Sequence, residues 1–217
     1  MDARHLTSAE AARRSIDSGQ HDPAGFRAAL LGVPARDRDA WVDRVLGLDD
    51  VPPDGPALPT GGVPYLPCGV DVLLQMVDAA PVRSDDVFVD VGAGVGRALA
   101  LVHLLTGAGA IGIEVQPELV RAARGLAAGL SLSRVKCVEG DAAVVAAFMV
   151  VGSVFFLYCP FSGARLEKVI DDLEPIARAR PLRICCVDLP LPPRPWLTRD
   201  PGRTGALEIY RSVRGGP

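Results

Sequence analysis

Three acidic residues occupy comparable places along the middle of this sequence, each at or just past the end of a short apolar run. Asp90 lies in Val87–Val91, Glu114 ends Ala110–Glu114, and Asp141 follows Val135–Glu139. A fourth run, Val154–Tyr158, leads instead into Cys159, Pro160 and Phe161. Asp90 is followed by Gly92, Gly94 and Gly96. Glycine lets a backbone come close to a ligand, and a helix starting there offers N–H groups with no partner of their own. A carboxylate beside such a turn suits an ammonium group better than a pyrophosphate. A carboxylate ending the next strand is placed to accept from both hydroxyls of a ribose, and Asp141 from an exocyclic amine such as that of adenine. Three successive runs thus end in acids, and a fourth ends in an aromatic and proline loop.

These residues need elements that bring strand ends together. Val87–Val91, Ala110–Glu114, Val135–Glu139, Val154–Tyr158 and Leu182–Val187 read as strands, separated by helical patterns over Arg97–Leu105, Pro117–Leu130, Ala142–Phe148 and Ala164–Arg178. Strand and helix in alternation predict an α/β fold, doubly wound, with a mostly parallel sheet covered on both faces. Ligands of such sheets bind beyond the carboxyl ends of the strands. Ala206–Val213 reads as a last strand. Residues 1–50 read as a helical extension of three short helices. Thr7 and Glu10 have the spacing of a capping box, Gly19 and Gly32 are stops, and Asp22-Pro23 is a start signal. From Asp37, the residues Trp41, Val42, Val45 and Leu46 recur on one helical face. Those apolar sides must pack on the main domain or serve as a lid or a dimer contact. Residues 51–64 hold five prolines and three glycines and read as a linker or stiff loop, leaving 65–217 as the main domain.

The chain has 217 residues, long enough for one domain with an appendage and a core that needs no disulfide. Apolar residues make up 49% and charged residues 23%, which excludes wholesale disorder. The formal charge of −3 gives no basic footprint for nucleic acid. Only Lys136 and Lys168 among the 23 basic residues are lysine, a bias in keeping with the many Ala, Gly and Pro residues. Five cysteines, none in a C-x-x-C pair, argue against a disulfide framework or a zinc site, so no metal is expected. The first residues contain no apolar signal segment, and a cytoplasmic location is expected. Residues 142–164 carry no charge, but Gly152-Ser153 interrupts them and Pro160 lies near their end. They read as a short helix and a buried strand rather than a membrane span.

Four segments together, VFVDVGAGVGRALAL, GIEVQPELV, VEGDA and FFLYCPF, resemble the consecutive motifs of class I S-adenosylmethionine-dependent methyltransferases over about residues 65–187. The resemblance implies a Rossmann-like methyltransferase sheet, with S-adenosylmethionine as cofactor and S-adenosylhomocysteine as product. Asp90 would then face the methionine amino group, and Gly92 and Gly94 would line the methionine moiety. Glu114 would hold the ribose diol. Asp141 and the Ala142 N–H would read adenine. Tyr158, Pro160 and Phe161 would line the methyl-transfer site. A narrower resemblance, carried by Tyr65-Leu66-Pro67 and by Leu189-Pro190-Leu191-Pro192, is to small seven-strand protein-lysine methyltransferases. It implies that Tyr65 contacts the methionine end. Two departures stand against it. Amine-modifying members often carry Asn or Asp before Pro-Pro-Phe/Tyr, where this chain has Tyr158-Cys159-Pro160-Phe161. The proline-rich stretch after Val187 also holds no helix, so the usual final helix and hairpin are expected to be reduced.

In-line methyl transfer needs positioning above all, and a base only if the acceptor must lose a proton. Tyr158 and Asp188 are the nearest candidates for that role. The acceptor is expected to be a small molecule, with a protein lysine as the alternative; neither nucleic acid nor a membrane is expected as a partner, and a homodimer is open. An NAD-dependent oxidoreductase is opposed by Arg97, which stands where the dinucleotide fingerprint needs its third glycine. A non-catalytic nucleoside-binding module would keep the same ligand contacts.

Overall fold

The structure, a computed structural model, describes residues 1–55, 58, 62–201 and 205–213. The parts of the 51–64 linker at 56–57 and 59–61 therefore lie outside the described residues. The elements run α1 (Ala3–Asp17), α2 (Pro23–Leu31), α3 (Ala35–Leu46), α4 (Val70–Ala79), β1 (Val87–Val91), α5 (Arg97–Thr106), β2 (Gly109–Glu114), α6 (Pro117–Gly129), β3 (Val135–Glu139) and α7 (Ala142–Val145). A 3-10 turn (Ala146–Phe148) precedes β4 (Val154–Tyr158), followed by α8 (Gly163–Ala179), β5 (Arg183–Val187), β6 (Leu197–Arg199) and β7 (Leu207–Ser212).

The seven strands form one sheet in the order β3-β2-β1-β4-β5-β7-β6. The first five are parallel, and β7 runs antiparallel to both β5 and β6. The chain leaves β1 toward one side and β4 toward the other, so the strand order reverses between them and a crevice opens at their carboxyl ends.

Alternation along the strands sorts the core into two layers. Phe88, Phe156 and Cys185 face α4, α5 and α6; Val89, Val91, Phe155, Leu157, Ile184 and Cys186 face α7 and α8. Asp90 falls in step with Phe88, which puts its carboxyl on the α4–α5 side. The three N-terminal helices are continuous with the first layer. Phe26, Leu30, Trp41, Val42 and Val45 are buried in the same cluster as Leu73, Leu99 and Leu101. Burying each side chain of this size contributes about 1.5–3 kcal/mol, so these helices are part of the domain's own core.

Two details differ from the sequence expectation. Helix α1 begins at Ala3 with Asp2 as its cap, accepting from the His5 N–H, so Thr7 and Glu10 lie inside the helix. A strand that the sequence did not suggest, β6, three residues long, pairs antiparallel with β7. Among the described residues, no helix stands between β5 and β6; Leu189, Leu191 and Trp196 of the proline-rich stretch fill that part of the second layer instead. No described helix is long and apolar enough to cross a membrane.

Candidate functional site

The turn after β1 is shaped by what crowds it. Gly92 has φ +87° and Gly94 φ +53°, backbone that favours glycine. A Cβ on Gly92 would lie 2.8 Å from the Pro160 Cβ, and one on Gly94 would overlap the Tyr65 ring. The turn is pinned from below, with the Gly92 and Ala93 N–H groups donating to the Ile113 carbonyl at 2.9 and 3.0 Å.

Glu114, the last residue of β2, is buried. Its Oε2 accepts from the Gly94 N–H at 2.9 Å, and its Oε1 accepts from the Val115 and Gln116 N–H groups at 2.8 Å each. Three backbone donors therefore fix one carboxylate, and an ionised carboxylate has lone pairs to spare for ligand hydroxyls. Asp90 is also buried. Burial, and then the neighbouring Glu114, push its carboxyl well above the usual carboxylate range. A cation placed beside Asp90 would reverse that direction.

Sequence reasoning missed a second group. The Gln116 side chain, 6% exposed, accepts through Oε1 from the Gly55 N–H at 2.6 Å and donates through Nε2 to Asp54 Oδ1 at 2.8 Å. The same Asp54 oxygen accepts from the Tyr65 N–H at 2.9 Å. These bonds, with that of Gln116 first, hold the Asp54 carboxyl below its usual range. Farther along, the Val63 N–H donates to the Pro160 carbonyl at 3.2 Å, and Gly62 bridges Phe161. Leu58 and residues 62–66 thus line the site, and Asp54 braces them from outside the lining.

The remaining sequence candidates take varied positions. Asp141 caps α7, accepting from the Ala143 N–H at 2.9 Å, and pairs with Arg165. Desolvation opposes its ionisation, but Arg165 and that N–H hold its carboxyl below the usual range. Tyr158 is half-buried, and burial is the main cause that raises its hydroxyl above the ordinary tyrosine value. Phe161 is buried in the second core layer. Asp188 is exposed, with φ +48°, and lies outside the cleft lining. Arg97, expected only as the residue that breaks the dinucleotide pattern, is buried. It donates to Asp43 Oδ1 at 2.6 Å, to Asp39 Oδ1 at 2.9 Å and to the Cys68 carbonyl at 2.7 Å. It ties α3 and the segment after Tyr65 to the start of α5.

Together these residues enclose a cleft with two chambers at the carboxyl ends of β1 to β4. The wider chamber, with a cavity volume of about 100 Å³, is lined by Glu114, Gln116, Asp141, Ala142, Pro160 and Phe161 among others. The smaller is lined by Asp90, Ala93, Arg97, Cys68 and Phe156 among others. Tyr65, Leu66, Gly92 and Tyr158 line both and form the junction between them. Among the described residues, no cluster of His, Cys, Asp and Glu is arranged to hold a metal ion.

No protein-family model matches the sequence, and no curated protein matches it. Solved structures do. An RNA methyltransferase from Salinibacter ruber, in complex with S-adenosyl-L-homocysteine, is 25% identical with a TM-score of 0.56, over 70% of this chain and 96% of that one. A precorrin-6y C5,15-methyltransferase from Geobacter metallireducens is 15% identical with a TM-score of 0.51, over 71% of this chain and 93% of that one. The chain has the Rossmann-like fold of class I S-adenosylmethionine-dependent methyltransferases.

Proposed function

We propose that this chain is an S-adenosylmethionine-dependent methyltransferase acting on a small-molecule acceptor. The observation that carries the reading is the two-chambered cleft at the switch point of the sheet. A carboxylate fixed by three backbone N–H groups serves one chamber and a buried acid the other. A nucleoside fits the wider chamber, with Glu114 accepting from the ribose hydroxyls and Asp141 and Ala142 near the base. An amino-acid end fits the smaller chamber beside Asp90. The Gly92–Gly94 turn, free of side chains of its own at both glycines, lets Pro160 and Tyr65 close in and narrow the passage between the two chambers. When bound, S-adenosylmethionine supplies a methyl group on a positively charged sulfur, open to in-line attack by a lone pair.

The chain's own part is to orient the reactants and exclude water. Tyr158, its hydroxyl raised above the ordinary value, keeps its proton at neutral pH. It therefore orients an acceptor by hydrogen bonding rather than acting as a base, and the acceptor arrives with a lone pair ready or releases its proton to solvent. Leu66 and Val63, 63% and 48% exposed at the mouth, favour an acceptor with an apolar body.

Calorimetric titration with S-adenosylmethionine, S-adenosylhomocysteine and NAD tests the cofactor. Binding of the first two, weakened at least tenfold in Glu114→Ala, is expected, and binding of NAD alone would overturn the reading. Labelled methyl donor incubated with cell extract then separates acceptors. Label in a new acid-soluble product resolved from the donor supports a small molecule, whereas label in protein or in nuclease-sensitive material assigns a protein or a nucleic acid.

A further inference from the structure

The contacts around Glu114 close into a ring. Its carboxylate accepts from the Gly94 N–H; Gly94 lies against the Tyr65 ring; the Tyr65 N–H donates to Asp54; Asp54 accepts from the Gln116 side chain; and the Gln116 N–H returns to Glu114. Both ends of the buried Gln116 amide are engaged by residues far away in sequence, Gly55 and Asp54. Asp54 is exposed and lines neither chamber. What the ring fixes is Tyr65, one of four residues at the junction of the chambers.

We infer that Asp54 and Gln116 are positioning residues that hold the Tyr65 ring at this junction, and that the ring so held favours a positively charged centre there over a neutral one. The inference rests on the cofactor reading above. An aromatic face attracts a cation, more strongly where water is excluded, but only when the ring is held in register with it. Of the two forms of the cofactor, only the methyl donor carries charge on its sulfur. A junction of this kind binds the donor in preference to the spent thioether and so assists product release. The chain's selectivity between substrate and product is then set in part by Asp54, which lines neither chamber, acting with Gln116 at the edge of the wider one.

The test reads binding. Affinities for S-adenosylmethionine and S-adenosylhomocysteine are measured by calorimetry on the wild type, Gln116→Leu, Asp54→Ala, Asp54→Asn and Tyr65→Leu, with a thermal melt for each. The ratio of the two affinities should shift against the charged donor by about three- to tenfold in Gln116→Leu, Asp54→Ala and Tyr65→Leu. Asp54→Asn keeps an oxygen that accepts both hydrogen bonds and should stay within about twofold of the wild-type ratio. Because Asp54 is exposed, its variants keep the assay usable even if Gln116→Leu folds poorly. An unchanged ratio in Asp54→Ala with intact binding would overturn the positioning role. An Asp54→Asn ratio as altered as that of Asp54→Ala would also overturn it, since charge rather than hydrogen bonding would then be responsible. A wild type that binds neither ligand would fail the cofactor reading itself, a result distinguishable from the other two.

Discussion

Two sets of turns share the upper edge of the sheet, and they meet the same backbone demand differently. After β1, left-handed conformations fall on glycines, with φ +87° at Gly92 and +53° at Gly94. After β4 and β5 they fall on Cys159, φ +45°, and Asp188, φ +48°. A side chain in that region costs about 1–2 kcal/mol. The first turn has no space for a Cβ, because Pro160 and Tyr65 occupy it. In the second, the Cys159 thiol donates to the Val187 carbonyl at 2.9 Å and ties the ends of β4 and β5 together. Glycine marks the place where other groups must approach the backbone, and a strained side chain marks the place where a cross-link is worth its strain.

The largest effect that would break this contrast lies at Gly94. Gly94→Ala should weaken S-adenosylhomocysteine binding by about 100-fold or more, on the order of 3 kcal/mol. Tyr65→Ala in the same chain should recover part of the loss by restoring space but not backbone freedom. Full binding by the single variant in calorimetry would mean that crowding does not dictate the turn. Next comes Asp90, the acid under the glycine turn. A carboxyl with a raised folded-state pKa stabilises the fold most at pH values below its unfolded pKa. That contribution is lost as pH rises through the folded value. Asp90→Asn should therefore stabilise the ligand-free protein by about 1–3 kcal/mol at pH 8 and by less at pH 5, while weakening cofactor binding. Thermal melts at the two pH values, with and without ligand, check both signs. The smallest effects belong to the other turns. Cys159→Gly relieves strain but removes the thiol bond, so urea unfolding should place it within about 1 kcal/mol of wild type. Asp188→Gly should shift stability by about 0.5 kcal/mol or less, since aspartate tolerates this region.

Most of the sheet was legible because β1 to β5 are apolar runs punctuated by glycine, proline and helix-start signals, so a local pattern sufficed. Strand β6 was not, since Leu197–Arg199 is three residues long, largely unburied, and follows prolines that conceal a strand. The capping box at Thr7 failed because Asp2, five residues earlier, already provides the cap oxygen. The positions of Asp90, Glu114 and the glycines at the strand ends, beside the cleft, were legible from the local pattern. Asp54 and Gln116 were not: their bond spans 62 residues and rests on how two loops meet, which no local spacing encodes. Asp141 stands where its strand predicts, but its partner Arg165 comes from a helix the pattern could not bring near it.

The buried Arg97 cluster has a consequence for synthesis. Arg97 leaves the ribosome 54 residues after Asp43, its carboxylate partner on α3. At roughly 5–20 residues per second, the first three helices, already packed on one another through Phe26 and Trp41, wait several seconds for α5 to complete their cluster. The nascent chain is most exposed to mispairing in that interval. Slow codons between Asp43 and Arg97 would lengthen it, and a chaperone that shields short apolar helices would act there.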